Sequence, residues 1–383
     1  MKKKLALVLA AALMVASFAG CTSKPAESVA PAESAAAAES AAPAPAPASD
    51  LKVGVFYYNF ADVYSTTVRT AMDAKLDALG VDYDNYDGNT NQPQQIDQIN
   101  TAISNGVNLL IVNIVETSSP DSAQMACDAA KAAGIPIIFF NREVDNSVID
   151  SYDMAAFVGT NAPEAGHLQG QMIADFLLEN YDAVDLNGDG KITYAMFKGQ
   201  EGNAEAEYRT QFAVEDCDTA LKDAGKPALE YYDSRNTSKY QVDQTGGWSS
   251  QAATDYMTTI LAEYTEANNN MVELIIANND GMAEGAVSAL QTAGYNKGTD
   301  DASSKTIPVF GVDAVDTAVQ KIEKGQMTGT VKQDGDKMAE TIVTLVGNVS
   351  SGAKLMDNTA DFNVDEGVAK IRVPYAKIDA ANA

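Results

Sequence analysis

Val272-Glu273-Leu274-Ile275-Ile276-Ala277-Asn278-Asn279-Asp280 sets the reading of the whole chain. Leu274, Ile275, Ile276 and Ala277 form a short apolar run of the kind that becomes a buried strand in a parallel sheet. The run breaks off in three polar residues, and Gly281-Met282-Ala283 starts a helical pattern. In open α/β sheets, ligands bind just beyond the carboxyl ends of strands. The polar end of this stretch therefore stands where binding chemistry is expected.

The same grammar extends in both directions. Strands are predicted over 52–58, 81–86, 109–114, 135–140 and 157–160, with helices over 64–79, 94–104 and 122–133 between them. A second series follows, with helices over 163–178, 204–221, 251–263 and 282–292. Its strands fall at 192–197, 229–233, 272–279 and 307–313. After 328–333 comes a helix over 335–346, and the chain closes on the extended run Ile371-Arg372-Val373-Pro374-Tyr375. Short strands alternating with helices imply βαβ units and parallel sheets. The fold class is thus α/β, with two similar doubly wound parallel-sheet lobes.

At 383 residues the chain is long enough for two domains with large cores. A formal net charge of -27 argues against nucleic acid, which calls for basic surface. Residues 1–20 read as a secretory signal: Lys2-Lys3-Lys4, then an apolar stretch too short to span a bilayer comfortably. Phe18-Ala19-Gly20-Cys21 resembles a lipobox, which marks Cys21 for lipidation. Residues 21–50, almost all Ala, Pro, Ser and Glu, read as a tether between that anchor and the folded part. Cys127 and Cys217 fall inside predicted helices and read as buried thiols.

The blocks VGVFYYNFADVY, IPIIFFNREVD, SYDMAAFVGTN, DLNGDGKIT, ELIIANNDGMAEGAV, IPVFGVDA and IRVPY together resemble the bacterial galactose/glucose-binding proteins. These are type I periplasmic solute-binding proteins that serve ABC sugar importers. The resemblance runs in order over 51–379. It implies two lobes joined by a three-crossover hinge, near 158–161, 332–335 and 372–376. The N-terminal lobe would combine 51–159 with 335–371, and the C-terminal lobe 160–334 with 372–383. It further implies a monomer that closes on a monosaccharide, passes it to a permease, and in some members presents it to a chemoreceptor.

A sugar presents hydroxyls that both donate and accept, together with apolar C–H faces. Its site needs carboxylates, amides and Arg at fixed positions, with flat aromatics above and below the ring. By resemblance Tyr64 and Trp248 would stack on the ring. Asp62, Asn141, Asn203, Glu205, Arg209, Asn279, Asp313 and Gln333 would be the polar ligands. Asn141, Asn279 and Asp313 each end an apolar strand, so the residues alone suggest them too. Asp62 also reads as a helix N-cap, and Glu205 with Arg209 as an i, i+4 pair. Four positions depart from the family pattern: Asn203 stands for its His, Glu205 for its Asp, Gln333 for its Asn and Tyr64 for its Phe. These changes bear on which sugar is preferred, with xylose and ribose as the alternatives.

Asp185-Leu186-Asn187-Gly188-Asp189-Gly190-Lys191-Ile192-Thr193 matches the first nine positions of an EF-hand loop. Position twelve is Met196, so the bidentate carboxylate has to come from elsewhere. The resemblance implies structural calcium held by Asp185, Asn187, Asp189, Lys191, Thr193 and Glu273. Glu273 and Asn279 are six residues apart, about 20 Å of extended chain. Their even spacing puts both on one side of the sheet and turns Asn278 away, so Asn279 is the expected sugar contact.

Enzyme signatures are weak. His167 is the only histidine, which excludes H-E-x-x-H metal sites and disfavours a Ser-His-Asp triad. There is no P-loop. Paired carboxylates such as Asp62 and Asp313 suit a glycosidase as well as a binding protein, and the expectation is binding without catalysis.

Overall fold

The computed structural model describes residues 50–383; the expected signal segment, Cys21 and the tether up to residue 49 lie outside the described residues. The chain starts with β1 (Lys52–Tyr57), α1 (Val63–Leu79), β2 (Asp82–Asp87), α2 (Gln92–Ser104) and β3 (Leu109–Val112). It continues through α3 (Asp121–Ala133), β4 (Ile137–Asn141), α4 (Asn146–Asp150) and β5 (Ala155–Gly159). The second series opens with α5 (Ala162–Val184), β6 (Thr193–Lys198), α6 (Ala204–Asp223), β7 (Glu230–Tyr231) and β8 (Gln241–Val242). Then come α7 (Ser250–Glu263), β9 (Leu274–Ala277), α8 (Asp280–Thr292), β10 (Val309–Asp313), α9 (Asp316–Glu323) and β11 (Gly329–Gln333). The chain ends with α10 (Gly335–Ser350), β12 (Asn363–Val364), β13 (Lys370–Arg372) and β14 (Tyr375–Asp379).

Two seven-stranded sheets result. One has the order β12-β13-β5-β4-β3-β1-β2; the other runs β14-β11-β10-β9-β6-β7, with β8 also on β6. All pairings are parallel except β12 with β13 and β11 with β14. Each sheet is covered on both faces, which is why strands such as β9 are apolar at every position. On the first sheet, Val68, Met72 and Leu76 of α1 pack with Met338 and Ile342 of α10, while Ile99, Ala126 and Cys127 cover the opposite face. On the second, α5 and α6 supply Ile173, Leu177 and Cys217 to one face, and α7 and α8 supply Met257, Met282 and Leu290 to the other. Cys127 and Cys217 are both free and buried.

The chain passes between the sheets three times: from β5 to α5, from β11 to α10, and from β13 to β14. Helix α5 runs six residues past its expected end, so Tyr181 donates from its hydroxyl to the Gly190 carbonyl at 3.1 Å. Helices α4 and α9 and the antiparallel β14 were not legible in the periodicity, being eight residues or shorter. Among the described residues, no helix is long and apolar enough to cross a membrane.

Behind the end of β10 lies a buried carboxylate. Asp280 accepts from Thr330 Oγ1 at 2.6 Å and from the Val315 amide at 3.0 Å. Burial pushes its pKa up from 3.8 to about 7. The folded state thus keeps a proton that the unfolded chain releases near pH 4. The stability from this site is complete below that pH and is lost as pH rises through about 7. Asp280→Asn should therefore gain several degrees in Tm relative to wild type between pH 5 and pH 8, as read by calorimetry at both values.

Candidate ligand-binding cleft

The strand ends and helix starts that face each other across the lobes enclose a narrow cavity of about 40 Å³. Its walls are Tyr58, Asp62, Tyr64, Asn141, Arg142, Asn203, Glu205, Arg209, Trp248, Asn279, Asp313 and Gln333. All ten residues expected from the sequence are among them, joined by Tyr58 and Arg142.

Local structure explains how each side chain is aimed. Asp62, Asn203 and Asn279 are N-caps of α1, α6 and α8, accepting from Ser65, Ala206 and Met282 amides at 2.6, 3.0 and 2.9 Å. Asp62 is thus both an N-cap and part of the wall. A cap points its helix N-terminus at the cavity, which favours anionic or electron-rich groups there. Asn141 and Asp313 end β4 and β10 with φ of 64° and 127°. For a residue with a Cβ such backbone is costly and turns the side chain out of the strand's alternation. Asn278 faces away from the cavity: its side chain binds the Gly199 amide and Thr210, at 3.1 Å each.

Arg209 is the electrostatic centre. It is buried and donates to the Asn278 carbonyl at 2.8 Å, to Gln333 Oε1 at 2.9 Å and to the Tyr375 hydroxyl at 3.0 Å. Asp313 Oδ1 lies 4.0 Å away. Burial pushes the Asp313 carboxyl well above the usual range against the pull of Arg209, and burial also raises Asp62 and Glu205. Two buried atoms of this cluster, Glu205 Oε2 and Arg209 Nε, have no hydrogen-bond partner.

The two lobes already touch through this cluster. Glu205 Oε1 accepts from the Glu143 amide at 2.9 Å, Gln333 donates to Asn141 Oδ1 at 2.8 Å, and Asn203 donates to Thr117 at 3.0 Å. Glu205 and Gln333 are the two polar positions where the resemblance implies a shorter side chain. Both use the added length to reach the facing lobe.

Tyr64 and Trp248 are buried, at 5% and 8% exposure. The Tyr64 hydroxyl reaches Met338 Sδ at 3.7 Å, and the Trp248 carbonyl accepts from Asn279 at 3.3 Å. Trp248 has φ 56° and its ring presses on Gly199, where an added Cβ would lie 2.1 Å from a ring carbon. Only glycine allows that approach. The two residues missed from sequence form one unit. Arg142 lies 4.3 Å over the Tyr58 ring and donates to the Ile114 and Val115 carbonyls at 3.1 and 2.6 Å, and to Gln200 of the other lobe. Their signal was position, since each directly follows a strand.

At the far end of β9, Glu273 is buried and accepts from the Leu186, Asn187 and Thr193 amides at 2.7, 3.3 and 2.9 Å. It thereby joins both ends of the 185–193 loop. Asp185 accepts from the amides of Gly188, Asp189 and Gly190 at 2.7, 3.2 and 2.8 Å, and Asp189 accepts from that of Lys191 at 2.9 Å. The Thr193 hydroxyl donates instead to the Met271 carbonyl and Glu273, at 2.9 and 3.1 Å. Among the described residues, no three His, Cys, Asp or Glu side chains converge as a ready metal cage. A cation here would rely on the Asn187 and backbone oxygens as well as the carboxylates.

Residues 53–354 match the family model described as a periplasmic binding protein domain. The chain is 32% identical to the D-galactose/methyl-galactoside binding periplasmic protein MglB of Haemophilus influenzae, over 88% of this chain and 91% of that one. It is 23% identical to the D-xylose-binding periplasmic protein of Escherichia coli, over 85% of each. A Bacillus halodurans ABC transporter solute binding protein solved with bound myo-inositol superposes with a TM-score of 0.64 at 24% identity, over 87% of this chain and 96% of that one. With two α/β lobes, mostly parallel sheets, three crossings and a polar cleft between the lobes, this chain belongs to the periplasmic binding protein family.

Proposed function

We propose that the protein is an extracytoplasmic substrate-binding lipoprotein. It captures a monosaccharide of the D-galactose/D-glucose type between its lobes and delivers it to the permease of an ABC importer. The observation that carries this reading is the pair of unpartnered buried atoms, Glu205 Oε2 and Arg209 Nε, on two residues that line the same cavity. Buried polar groups are normally satisfied, and a sugar hydroxyl accepts from the guanidinium while donating to the carboxylate. The sugars named for the relatives above support the class of ligand, and their variety leaves the choice of sugar to these residues. Because Glu205 and Gln333 reach across the cleft, pentoses belong in the test beside hexoses.

Isothermal calorimetry with D-galactose, D-glucose, D-xylose, D-ribose and myo-inositol tests the reading. Binding of D-galactose or D-glucose at micromolar or tighter Kd is expected; no heat from any of the five at millimolar concentration would sink it. Trp248 is the sole tryptophan, so its emission should shift on binding. Gly199→Ala pushes a methyl into the Trp248 ring, and a displaced stacking partner costs about 1 kcal/mol or more. An affinity loss near tenfold is expected, read by the same titration.

Cys21 is the proposed site of lipidation and attachment to the cell membrane, with the folded part acting as a monomer. Metabolic labelling with a fatty-acid analogue, lost in Cys21→Ala, tests the anchor. The loop at 185–193 is proposed to hold structural calcium through Asp185, Asn187, Asp189, the Lys191 carbonyl and Glu273, with Thr193 at the rim. D-x-N-x-D-G spacing and a glutamate joining both loop ends support it.

A further inference from the structure

Tyr375 does not line the cleft, yet its hydroxyl ties the cleft to the hinge. It lies 3.0 Å from Arg209 Nη2 and 2.7 Å from Thr160 Oγ1. Arginine has only donors, so the tyrosine oxygen accepts from Arg209 and its one proton is free for Thr160. Both Tyr375 and Thr160 are buried, at 7% and 0% exposure. Thr160 sits on the first crossing, just past β5, and Tyr375 opens β14 directly after the third.

The connections continue beyond these two. The Thr160 carbonyl accepts from Arg372 Nη1 at 2.7 Å, and Arg372 ends β13 immediately before the third crossing. Arg372 Nη1 also binds Glu143 Oε2 at 2.5 Å, with the buried Lys370 on the other carboxylate oxygen. The Glu143 amide in turn donates to Glu205 Oε1 at 2.9 Å. The path leaves the cleft at Arg209, runs through two crossings, and returns at Glu205. On the second crossing, Gln333 is held by Arg209 directly.

We propose that Tyr375 is a positioning residue that couples ligand engagement by Arg209 to the hinge through Thr160, so that the hydroxyl favours lobe closure. The proposal rests on sugar capture in the cleft. Closure shifts only as far as a contact differs between open and closed states, and this hydroxyl joins a cleft residue to a segment that has to bend. A ring without the oxygen keeps the packing and loses the coupling.

Tyr375→Phe, Thr160→Val and the double variant test it, with D-galactose calorimetry, thermal unfolding, and distances between one spin label on each lobe with and without sugar. Each single variant should weaken D-galactose about tenfold, the scale of one hydrogen bond in a charged network. The double variant should lose no more than either single one, because both break the same path. Tm should stay near wild type, and the ligand-free interlobe distances should shift toward longer values. If Tyr375→Phe weakens binding while Thr160→Val behaves as wild type, the tyrosine only orients Arg209 and the proposal is overturned. A fall in Tm without change in affinity or distances overturns it equally. If wild type binds no sugar, the capture reading fails separately, and the ligand-free distances still decide: unchanged distances in the variants reject the coupling.

Discussion

Arg209→Ala should weaken D-galactose binding by 100-fold or more, the largest effect expected of any single cleft substitution. Four groups depend on this guanidinium: the Asn278 carbonyl, Gln333 Oε1, the Tyr375 hydroxyl and, 4.0 Å away, the Asp313 carboxylate. Truncation leaves Asp313 buried beside Asp280 and Asp62 without the cation that opposes them there. Removing one partner of a buried pair costs about 3–5 kcal/mol, and each 1.4 kcal/mol is roughly tenfold in affinity. Part of that cost is met by Asp313 taking up a proton, since burial already holds its pKa high. The loss should therefore be smaller at pH 5 than at pH 8, where the orphaned carboxylate is more costly to keep neutral. Calorimetry of wild type and variant at both pH values checks the magnitude and the sign together. A loss under tenfold at pH 8 would remove Arg209 from the centre of the site.

Glu273→Ala should be the most damaging change outside the cleft. One buried carboxylate accepts the amides of Leu186, Asn187 and Thr193 and the Thr193 hydroxyl. An unmade buried hydrogen bond costs about 1–3 kcal/mol for each orphaned group, so even with partial access of water a loss of about 3 kcal/mol is expected. Guanidinium unfolding measures it. In wild type, EDTA should lower Tm and added calcium should restore it. Glu273→Gln keeps the shape but not the charge and should abolish that response. A Tm indifferent to EDTA in wild type rejects calcium while leaving the strap itself intact. Because Glu273 and Asn279 stand at opposite ends of β9, neither change should alter which sugar is bound.

Much was legible in the chain as written. Strands and helices alternate with periods that local sterics impose, so each β-α unit could be read from its own residues. The strand-end positions Asn141, Asn279 and Asp313 followed from those units, as did the direction of Asn278 away from the cavity. Asp62 was legible as a cap, and one side chain can satisfy a helix N-terminus and still face the cleft; that Asn203 caps α6 was not legible.

Tertiary structure decided what depends on contacts between distant segments. Asn141 meets Gln333 across 192 positions, Glu143 meets Glu205 across 62, and Thr160 meets Tyr375 across 215. No local period encodes such pairings. They arise when the strand ends of two sheets, each folded from its own apolar runs, are brought opposite one another by three short crossings. Tyr58 and Arg142 entered the site for the same reason, one ring under one guanidinium at the ends of β1 and β4, which lie on either side of β3. The stretch 272–280 shows the division most plainly. Its residues alone fixed a buried strand with a polar end, whereas Glu273 gained the 185–193 loop and Asn279 the carbonyl of Trp248 only through folding. Periodicity decides which residues point inward, and the packing of whole lobes decides what they meet there.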